Sequence, residues 1–211
     1  EDHISGLKEI VEMGKLSQIK VGTVVFSTYV VRDDAYYELE TMLQDNDVGI
    51  HYMKEGEYIG DGTFTLTCLH PTQSYQPADK NAASLALAYH SNVFDMLFTG
   101  DMDADAVENM LRLQGDTSGD MDVNSWTLMD YGSGTGKDWN RRSYDCIKIP
   151  HHGSRYSYNM DLYMEARYAV ISCGYQNRYH HPHVEVLDGL ADAGVSVLRT
   201  DEMGAVLFRR R

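Results

Sequence analysis

The sequence is poor in cysteine, and its three cysteines do not indicate a disulfide framework. Cys68, Cys146 and Cys173 are odd in number, and each lies in an apolar run with the character of a strand. Such positions are typical of buried free thiols. The cysteine pattern therefore leaves the redox compartment unidentified.

Basic side chains are also scarce. The 18 Lys and Arg residues are outnumbered by 32 Asp and Glu residues, which gives a formal net charge of -14. This negative charge favours solubility and disfavours a broad nucleic-acid-binding surface, because the phosphates of a nucleic acid are repelled by it. Any contact with nucleic acid should therefore be local.

Long apolar runs are absent. No stretch approaches the ~20 residues that a membrane-spanning helix needs, and the first residues lack the charged-then-apolar pattern of a secretory signal. We therefore expect these 211 residues to be soluble. With 43% hydrophobic and 24% charged content, residues 1–211 are sufficient for a single domain with its own core.

Hydrophobic periodicity predicts a mixture of helices and strands. Helical spacing is found in the segments that begin near Ile4 and Asp34, whereas two-residue alternation from Tyr58 to Leu69 predicts an antiparallel sheet. Residues 115–143 are crowded with Gly, Ser, Thr, Asp and Asn, which predicts an inserted surface loop.

The second half of the chain repeats one arrangement, an apolar strand followed by a polar loop. The predicted strands are Tyr144–Ile149, Tyr168–Cys173 and Val195–Arg199, and helical segments lie between them. Two sheets with helices on their outer faces would accommodate both the hairpins and these units. The sequence therefore predicts an α/β fold of the α+β type.

Histidines are concentrated in two short loops, each of which directly follows a predicted strand. They are His151, His152, His180, His181 and His183. A single such histidine is more often an ordinary surface or core residue. Together with Asp101, which also ends a strand, the group suits Zn, Mn or Fe, and a carboxylate can bridge two such ions. Strand ends hold ligands rigidly and leave a coordination position open to substrate.

Four ordered groups of residues carry a family resemblance. They are Asp2-His3 before Ser5-Gly6-Leu7, Thr99-Gly100-Asp101, Lys148-Ile149-Pro150-His151-His152-Gly153-Ser154, and Ile171-Ser172-Cys173-Gly174 with Asn177-Arg178-Tyr179-His180-His181-Pro182 and Arg199-Thr200-Asp201. The first two resemble the His-x-His-x-Asp-His and Gly-Asp motifs of the metallo-β-lactamase family. The others resemble its ComEC branch, the competence proteins that internalise DNA. The resemblance implies a four-layer αββα sandwich with the site at the edge between its two sheets.

The resemblance also implies a site for two divalent metal ions, Zn or Mn. The matched ligand positions are Asp2, His3, Asp101, His152 and His181. Asp101 resembles the bridging carboxylate, and Asp101 and His152 are the catalytic residues that the family pattern implies. Asp2 has an alternative role as the N-cap of the first helix, and His151 is the alternative ligand of its pair. We expect His180 and His183 to lie in a surface loop.

The sequence departs from the family pattern in three places. The His-x-His that should precede Glu1 is absent, which predicts a fragment that lacks two ligands and the first strands of the amino-terminal sheet. Such a fragment would be metal-free or partly occupied, and inactive by itself. Many family members place a His before the strand at Ser84–His90, where this sequence has Asn81; His70 could substitute for it. The usual Gly before His181 is His180.

The resemblance implies a phosphodiesterase or nuclease that acts on DNA, a single strand in particular, during uptake. Ser154 could orient a phosphate oxygen or could simply form a tight turn. The parent protein would be embedded in a bacterial cell membrane with this domain outside the cytoplasm. The alternatives are a hydrolase of small phosphoesters such as choline-phosphate groups, and a non-catalytic module whose site has decayed.

Local DNA contact is predicted for a basic cluster within the insertion. Its residues are Lys137, Trp139, Arg141 and Arg142. The basic side chains would pair with phosphates and the indole would stack on a base. A solvated loop is the alternative, because neighbouring aspartates dilute the positive charge.

Overall fold

The computed structural model describes residues 5–14, 20–115 and 143–209. The chain divides into two compact units, Glu1–Lys54 and Glu55–Arg211. Almost all of the predicted insertion, residues 116–142, lies outside the described residues, and so do Asp2 and His3.

The first unit alternates helices and strands. Its elements are α1 (Ser5–Gly14), β1 (Thr23–Ser27), α2 (Asp34–Asp45) and β2 (Gly49–Met53). The two strands pair in parallel. Helix α2 begins where the sequence predicts, because the Asp33 side chain accepts a hydrogen bond of 3.0 Å from the backbone amide of Tyr36. Leu39 and Leu43 of this helix are fully buried.

The second unit is built on one sheet. Its described elements are β3 (Tyr58–Gly60), β4 (Phe64–His70), β5 (Ala86–Ser91), β6 (Asp95–Phe98), α3 (Ala104–Gly115), β7 (Tyr144–Lys148), α4 (Met160–Met164), β8 (Ala166–Ile171), α5 (Val184–Asp192), β9 (Ser196–Arg199) and α6 (Thr200–Met203). Short 3₁₀ turns at Pro150–Gly153 and Arg155–Ser157 follow β7. The described strands form a seven-stranded sheet in the order β3-β4-β5-β6-β7-β8-β9.

The sheet changes character at β6. Strands β3 to β6 are antiparallel neighbours, whereas β6, β7, β8 and β9 run parallel. Parallel strands place their carboxyl ends, and the loops that follow them, at one edge of a sheet. This edge therefore gathers the segments after Phe98, Lys148, Ile171 and Arg199.

The core of this unit lies between the sheet and its helices. Leu97, Ile147 and Ile171 of the sheet are buried together with Met110 of α3 and Leu190 of α5. Burial of apolar side chains at about 25 cal/mol per Å² supplies the main stabilisation of such a layer. The parallel strands are therefore held rigidly up to the residues at which they end.

The observed architecture confirms the predicted mixed α/β class, with a multi-stranded sheet and several helices. The predicted strands Tyr144–Ile149, Tyr168–Cys173 and Val195–Arg199 agree with β7, β8 and β9 to within two residues. The four-layer arrangement stays a prediction. Among the described residues, no helix has the length and apolar character that a bilayer crossing requires.

Candidate metal centre

Asp101 stands just beyond strand β6, on a tight turn. Gly100 has a φ of 55°, and a Cβ at this position would lie 2.8 Å from the Cβ of Ser84, so only glycine fits. The Ser84 hydroxyl accepts a hydrogen bond of 3.0 Å from the Asp101 amide. The turn therefore fixes the direction in which the Asp101 carboxylate leaves the sheet.

His151 and His152 follow strand β7 with left-handed backbone angles. Their φ values are 47° and 56°, and that of Gly153 is 82°. The His151 amide donates to the Gly100 carbonyl at 3.2 Å, which ties the β7 loop to the β6 turn. Strained backbone of this kind is often found at functional sites.

The His152 ring lies between the β8 loop and Asp101. Its Nδ1 is 2.6 Å from the Ser172 carbonyl oxygen. Its Nε2 is 3.5 Å from Oδ2 of Asp101. Histidines that bind metals usually donate the hydrogen of one ring nitrogen to a carbonyl and use the other nitrogen as the ligand. Ser172 contacts Nδ1 and Nε2 faces Asp101, so His152 has the orientation of a ligand.

His181 reaches the same place from the loop between β8 and α5. Asn177 holds it there: the Asn177 side chain accepts from the His181 amide at 2.9 Å and donates to the His181 carbonyl at 2.6 Å. The His181 ring centroid lies 5.6 Å from that of His151 and 6.3 Å from that of His152. The structure therefore brings His151, His152 and His181 together, and His152 faces Asp101.

The charges of this cluster are set by burial and by its own members. Burial, followed by the neighbouring histidines His183, His151 and His152, lowers the pKa of His181 to about 4. The interaction with Asp101 raises the pKa of His152. At neutral pH His181 is therefore a neutral imidazole, which is the form that binds a metal ion.

Lys148, which was not predicted as a site residue, also contacts the turn that carries Asp101. Its ammonium donates to the Gly100 carbonyl at 2.8 Å and lies 3.9 Å from Oδ1 of Asp101. Burial lowers the pKa of Lys148, and Asp101 opposes that shift. A lysine between the buried residues Ile147 and Ile149, shortly before the paired histidines, was the signal that could have identified it.

The donor set of the cluster fits a metal ion in its chemistry. Nδ1 of His151 is buried, and no hydrogen-bond partner is found for it among the described residues. A buried imidazole nitrogen of this kind is a candidate ligand. Within that same part of the chain, no three His, Cys, Asp or Glu side chains stand close enough together to bind one ion. The predicted ligands Asp2 and His3 lie outside it.

Two further predicted residues have local contacts. Ser154 is 2% exposed, and its hydroxyl accepts from the Tyr156 amide at 3.4 Å, so it caps the following 3₁₀ turn. The Asn81 amide donates to Asp79 at 2.8 Å, within the turn before β5. Neither contact places a polar group against the histidines. The basic cluster predicted for DNA contact lies outside the described residues and is Lys137, Trp139, Arg141 and Arg142.

Three other histidines surround the site. His70 is fully buried, with Nδ1 3.0 Å from the Ser84 carbonyl oxygen, so it contacts the residue that supports Asp101. His183 lies 4.9 Å from His181 between ring centroids, and its Nδ1 accepts from the Arg155 amide at 3.1 Å. His180 is an exposed residue of the loop, with a φ of 58°. His183 is therefore closer to the cluster than the sequence suggested.

The last motif of the resemblance has a structural explanation. Arg199 donates two hydrogen bonds, of 3.1 Å and 2.7 Å, to the carboxylate of Asp201. The Thr200 hydroxyl accepts from the Cys173 amide at 2.9 Å and donates to the Cys173 carbonyl at 2.8 Å. Residues 199–201 therefore hold the start of the loop that carries His181.

The chain is similar to two curated proteins, and no family model matches it. It is 26% identical over 211 residues to ComE operon protein 3 of Bacillus subtilis (strain 168), covering 99% of this chain and 23% of that protein. It is 28% identical over 163 residues to Competence protein ComA of Neisseria gonorrhoeae, covering 76% of this chain and 20% of that protein. The chain thus spans about a quarter or less of the length of these relatives. The two similarities support a competence-related family for this chain.

Proposed function

We propose that this chain is a metal-dependent hydrolase domain that cleaves phosphodiester bonds in DNA during competence-associated uptake. The observation that carries the proposal is the convergence of Asp101, His151, His152 and His181 at the carboxyl edge of neighbouring parallel strands. Sheet edges of this kind are where α/β proteins place their sites. The similarity to a competence protein supports the DNA part of the proposal.

Among the described residues, the metal ligands in this proposal are Asp101, His152 and His181, with His151 as a further candidate. Asp2 and His3, which the resemblance also matches to ligands, lie outside the described residues. Two Zn or Mn ions bound there would lower the pKa of a water molecule and neutralise charge on a phosphate. Asp101 supplies negative charge, and the Ser172 carbonyl orients His152 so that Nε2 faces Asp101. The role of the protein's own residues is therefore to fix the direction of the donors in advance.

The fold positions these donors by two kinds of contact. The β6 turn is tied to the β7 loop by the His151 amide and by Lys148, which both donate to the Gly100 carbonyl. Ser172 of the β8 loop contacts His152, and within the same loop Asn177 holds the His181 backbone. A site built on rigid strand ends and cross-linked loops stays preorganised, which is the main requirement of electrostatic catalysis.

The acidic character of the chain restricts how DNA would bind. Because the formal net charge is -14, most of the surface would repel the phosphates of DNA. Contact with DNA would therefore be confined to the site and its surroundings. The proposed parent protein is anchored in the bacterial cell membrane and holds this domain outside the cytoplasm. The chain spans 23% of ComE operon protein 3, which leaves room for such a parent.

The experiment that tests this function measures metal content and hydrolysis in the protein as its gene encodes it, including any residues before Glu1. Mn and Zn are each supplied, and single-stranded DNA, phosphorylcholine esters and bis(p-nitrophenyl) phosphate are the substrates. About two metals per chain with DNA cleavage is the expected result. Hydrolysis of the choline ester alone would indicate that the substrate is a small phosphoester rather than DNA. Absence of both metal and hydrolysis would contradict the proposal.

The substitution Asp101→Ala sharpens the test. It should lower metal-dependent hydrolysis by roughly 10²-fold or more in kcat, because Asp101 would be a negatively charged metal ligand and alanine offers no replacement. The unfolding transition of the metal-free protein should remain cooperative. Asp61→Ala, at an exposed turn far along the sheet from β6, is the matched control that also removes one carboxylate and should retain hydrolysis.

A further inference from the structure

The loop between β8 and α5 carries exposed aromatic rings next to the histidine cluster. Tyr175 is 77% exposed and Tyr179 is 57% exposed. The Tyr179 ring is stacked beside His181, with 5.7 Å between centroids and an angle of 23° between planes. Burial of a large aromatic ring is energetically favourable. Two such rings exposed on the loop that also carries His181 therefore indicate a contact surface.

The same loop carries a positive charge that is not neutralised by a carboxylate in the described part of the chain. The Arg178 guanidinium lies 4.8 Å above the centre of the Tyr179 ring and donates to the Tyr179 hydroxyl at 2.5 Å. Two other arginines of this unit are paired: Arg155 with Glu185 at 2.9 Å, and Arg199 with Asp201 at 2.7 Å. Arg178 is therefore available to an anionic group from outside.

The loop is held rigidly despite its exposure. Asn177 donates to the Gly174 carbonyl at 3.0 Å and also makes both contacts with the His181 backbone. Gln176 donates to the Tyr175 hydroxyl at 3.2 Å. A ligand that docks here would thus find the rings largely preorganised, which lowers the entropy cost of binding.

We propose that Tyr175, Arg178 and Tyr179 form a subsite that binds an unpaired nucleotide next to the bond that is cleaved. A base would stack on the exposed ring of Tyr175 or on the guanidinium plane of Arg178, and the guanidinium would pair with a phosphate. Stacking of this kind is the usual way in which proteins hold single strands, and it tolerates any base. The subsite rests on the function proposed above and adds the residues that select an unpaired strand.

The position of the loop fits a strand that crosses the histidine cluster. Because the Tyr179 ring neighbours His181, a phosphate at the cluster would bring the adjacent base towards this loop. Bases within a duplex are already stacked on one another and have no free face to offer. The subsite therefore discriminates in favour of a single strand on an otherwise acidic surface.

The position of Arg178 favours one ligand class for this subsite, a nucleotide base, over a quaternary ammonium group. Tyrosine rings can form cages for choline, where the cation lies over a ring face. Here a guanidinium already lies over the Tyr179 ring, and its charge would repel a second cation at the same place. The observations therefore favour a base with its phosphate over a choline group.

The test compares Tyr175→Ala, Tyr175→Trp and Arg178→Gln in the protein as its gene encodes it. Binding of a fluorescent oligo(dT) of about twelve nucleotides, a length within the usual range of single-strand sites, is measured by anisotropy in EDTA, so that it does not depend on metal. Loss of one stacking ring should weaken binding roughly 5- to 150-fold, since such stacking contributes about 1–3 kcal/mol per base. Tyr175→Trp should retain binding, and Arg178→Gln should weaken it and reduce its salt dependence.

A second measurement separates this subsite from the hydrolytic site. The kcat/KM for the oligonucleotide is divided by that for bis(p-nitrophenyl) phosphate, and Tyr175→Ala should lower this ratio by about fivefold or more, as the loss of one stacked base predicts. Tyr58→Ala, which removes another exposed ring from strand β3, is the matched control and should leave the ratio as it is. An unchanged ratio, or binding of phosphorylcholine rather than the strand at this loop, overturns the proposal. If the wild-type protein hydrolyses neither substrate, the proposed function fails instead.

Discussion

The Lys148 ammonium joins the two residues of the β6 turn, donating to the Gly100 carbonyl at 2.8 Å and lying 3.9 Å from the Asp101 carboxylate. The side chains of Lys148 and Asp101 are 19% and 13% exposed. Because both side chains are largely removed from water, loss of either one would leave the charge of the other buried and uncompensated. Lys148 therefore supports the turn that directs Asp101.

Lys148→Met should lower the free energy of unfolding by about 1–3 kcal/mol, because a buried carbonyl and carboxylate lose their charged donor. Lys148→Arg should recover part of this loss, since it keeps the charge. Urea denaturation of the metal-free protein measures both. The control Lys20→Met removes an exposed lysine of the first unit and should change the free energy of unfolding by less than about 0.5 kcal/mol. Equal effects at both positions would contradict a role for Lys148 in the turn.

Gly153→Ala should destabilise the second unit for two separable reasons. Its φ of 82° costs an L-residue roughly 1–2 kcal/mol, and the new Cβ would lie 2.6 Å from that of Pro182, which adds an overpacking cost of about 1–3 kcal/mol. Gly62→Ala is a matched control, because Gly62 has a φ of 89° and an added Cβ there would meet nothing within 4 Å. Thermal or urea unfolding of both variants measures the difference, and equal losses would show that the contact with Pro182 is unimportant.

Asn177→Ala should weaken metal binding, by roughly 10- to 100-fold, because the groups that orient a ligand matter nearly as much as the ligand. The Asn177 side chain makes contacts of 2.9 Å and 2.6 Å with the His181 backbone, and without them the loop is free to move. Titration calorimetry with Mn and Zn measures the affinity. Gln176→Ala alters the same loop but removes only a contact with Tyr175, so it should bind metal as the wild-type protein does.

His181 should make the metal-free protein less stable in mild acid. Its pKa falls from 6.5 to about 4 on folding, so between these pH values the unfolded chain binds a proton that the folded protein does not. The free energy of unfolding therefore rises with pH across this window. His181→Asn should remove that part of the slope in urea titrations at a series of pH values. The pKa of His152 is raised, so it contributes in the opposite sense, with stability that is lost as pH rises through its folded value.

The difference between the wild-type protein and the His181→Asn variant is the informative quantity, because titrating groups that do not interact with His181 contribute equally to both. A difference that is flat from pH 6.5 to 4 would contradict a depressed pKa of His181. His90→Asn, at a partly exposed pair with Asp95 in the β5–β6 hairpin, removes a histidine elsewhere and controls for a general loss of imidazole.

Much of the local structure followed from the sequence. Periodicity placed α2 and the three strands that end at polar loops. These features depend on neighbours within a few positions, so a pattern of side chains is enough to predict them. The residues at which these strands end could therefore be predicted from the sequence without the tertiary structure.

The contacts between those ends could not be predicted in the same way. Lys148, Ser84 and Asn177 support the candidate ligands, but their partners are set by chain segments that meet only in the folded protein. For Lys148 and Ser84 the partner is many positions away in the sequence. Asn177 has a nearby partner, but its hydrogen bonds depend on the exact turn of an irregular loop.

The sequence by itself determined that Asp101, His151, His152 and His181 each follow a strand, because hydrophobic pattern and turn residues act locally. Only the tertiary structure decided that β6, β7 and β8 are parallel neighbours, which depends on long-range pairing, and that their ends therefore meet. It also decided which nitrogen of His152 faces Asp101, since the Ser172 carbonyl that occupies the other nitrogen belongs to a different strand's loop. Short segments determine where each strand ends, whereas the packing of the strands determines which of these ends meet to form a site.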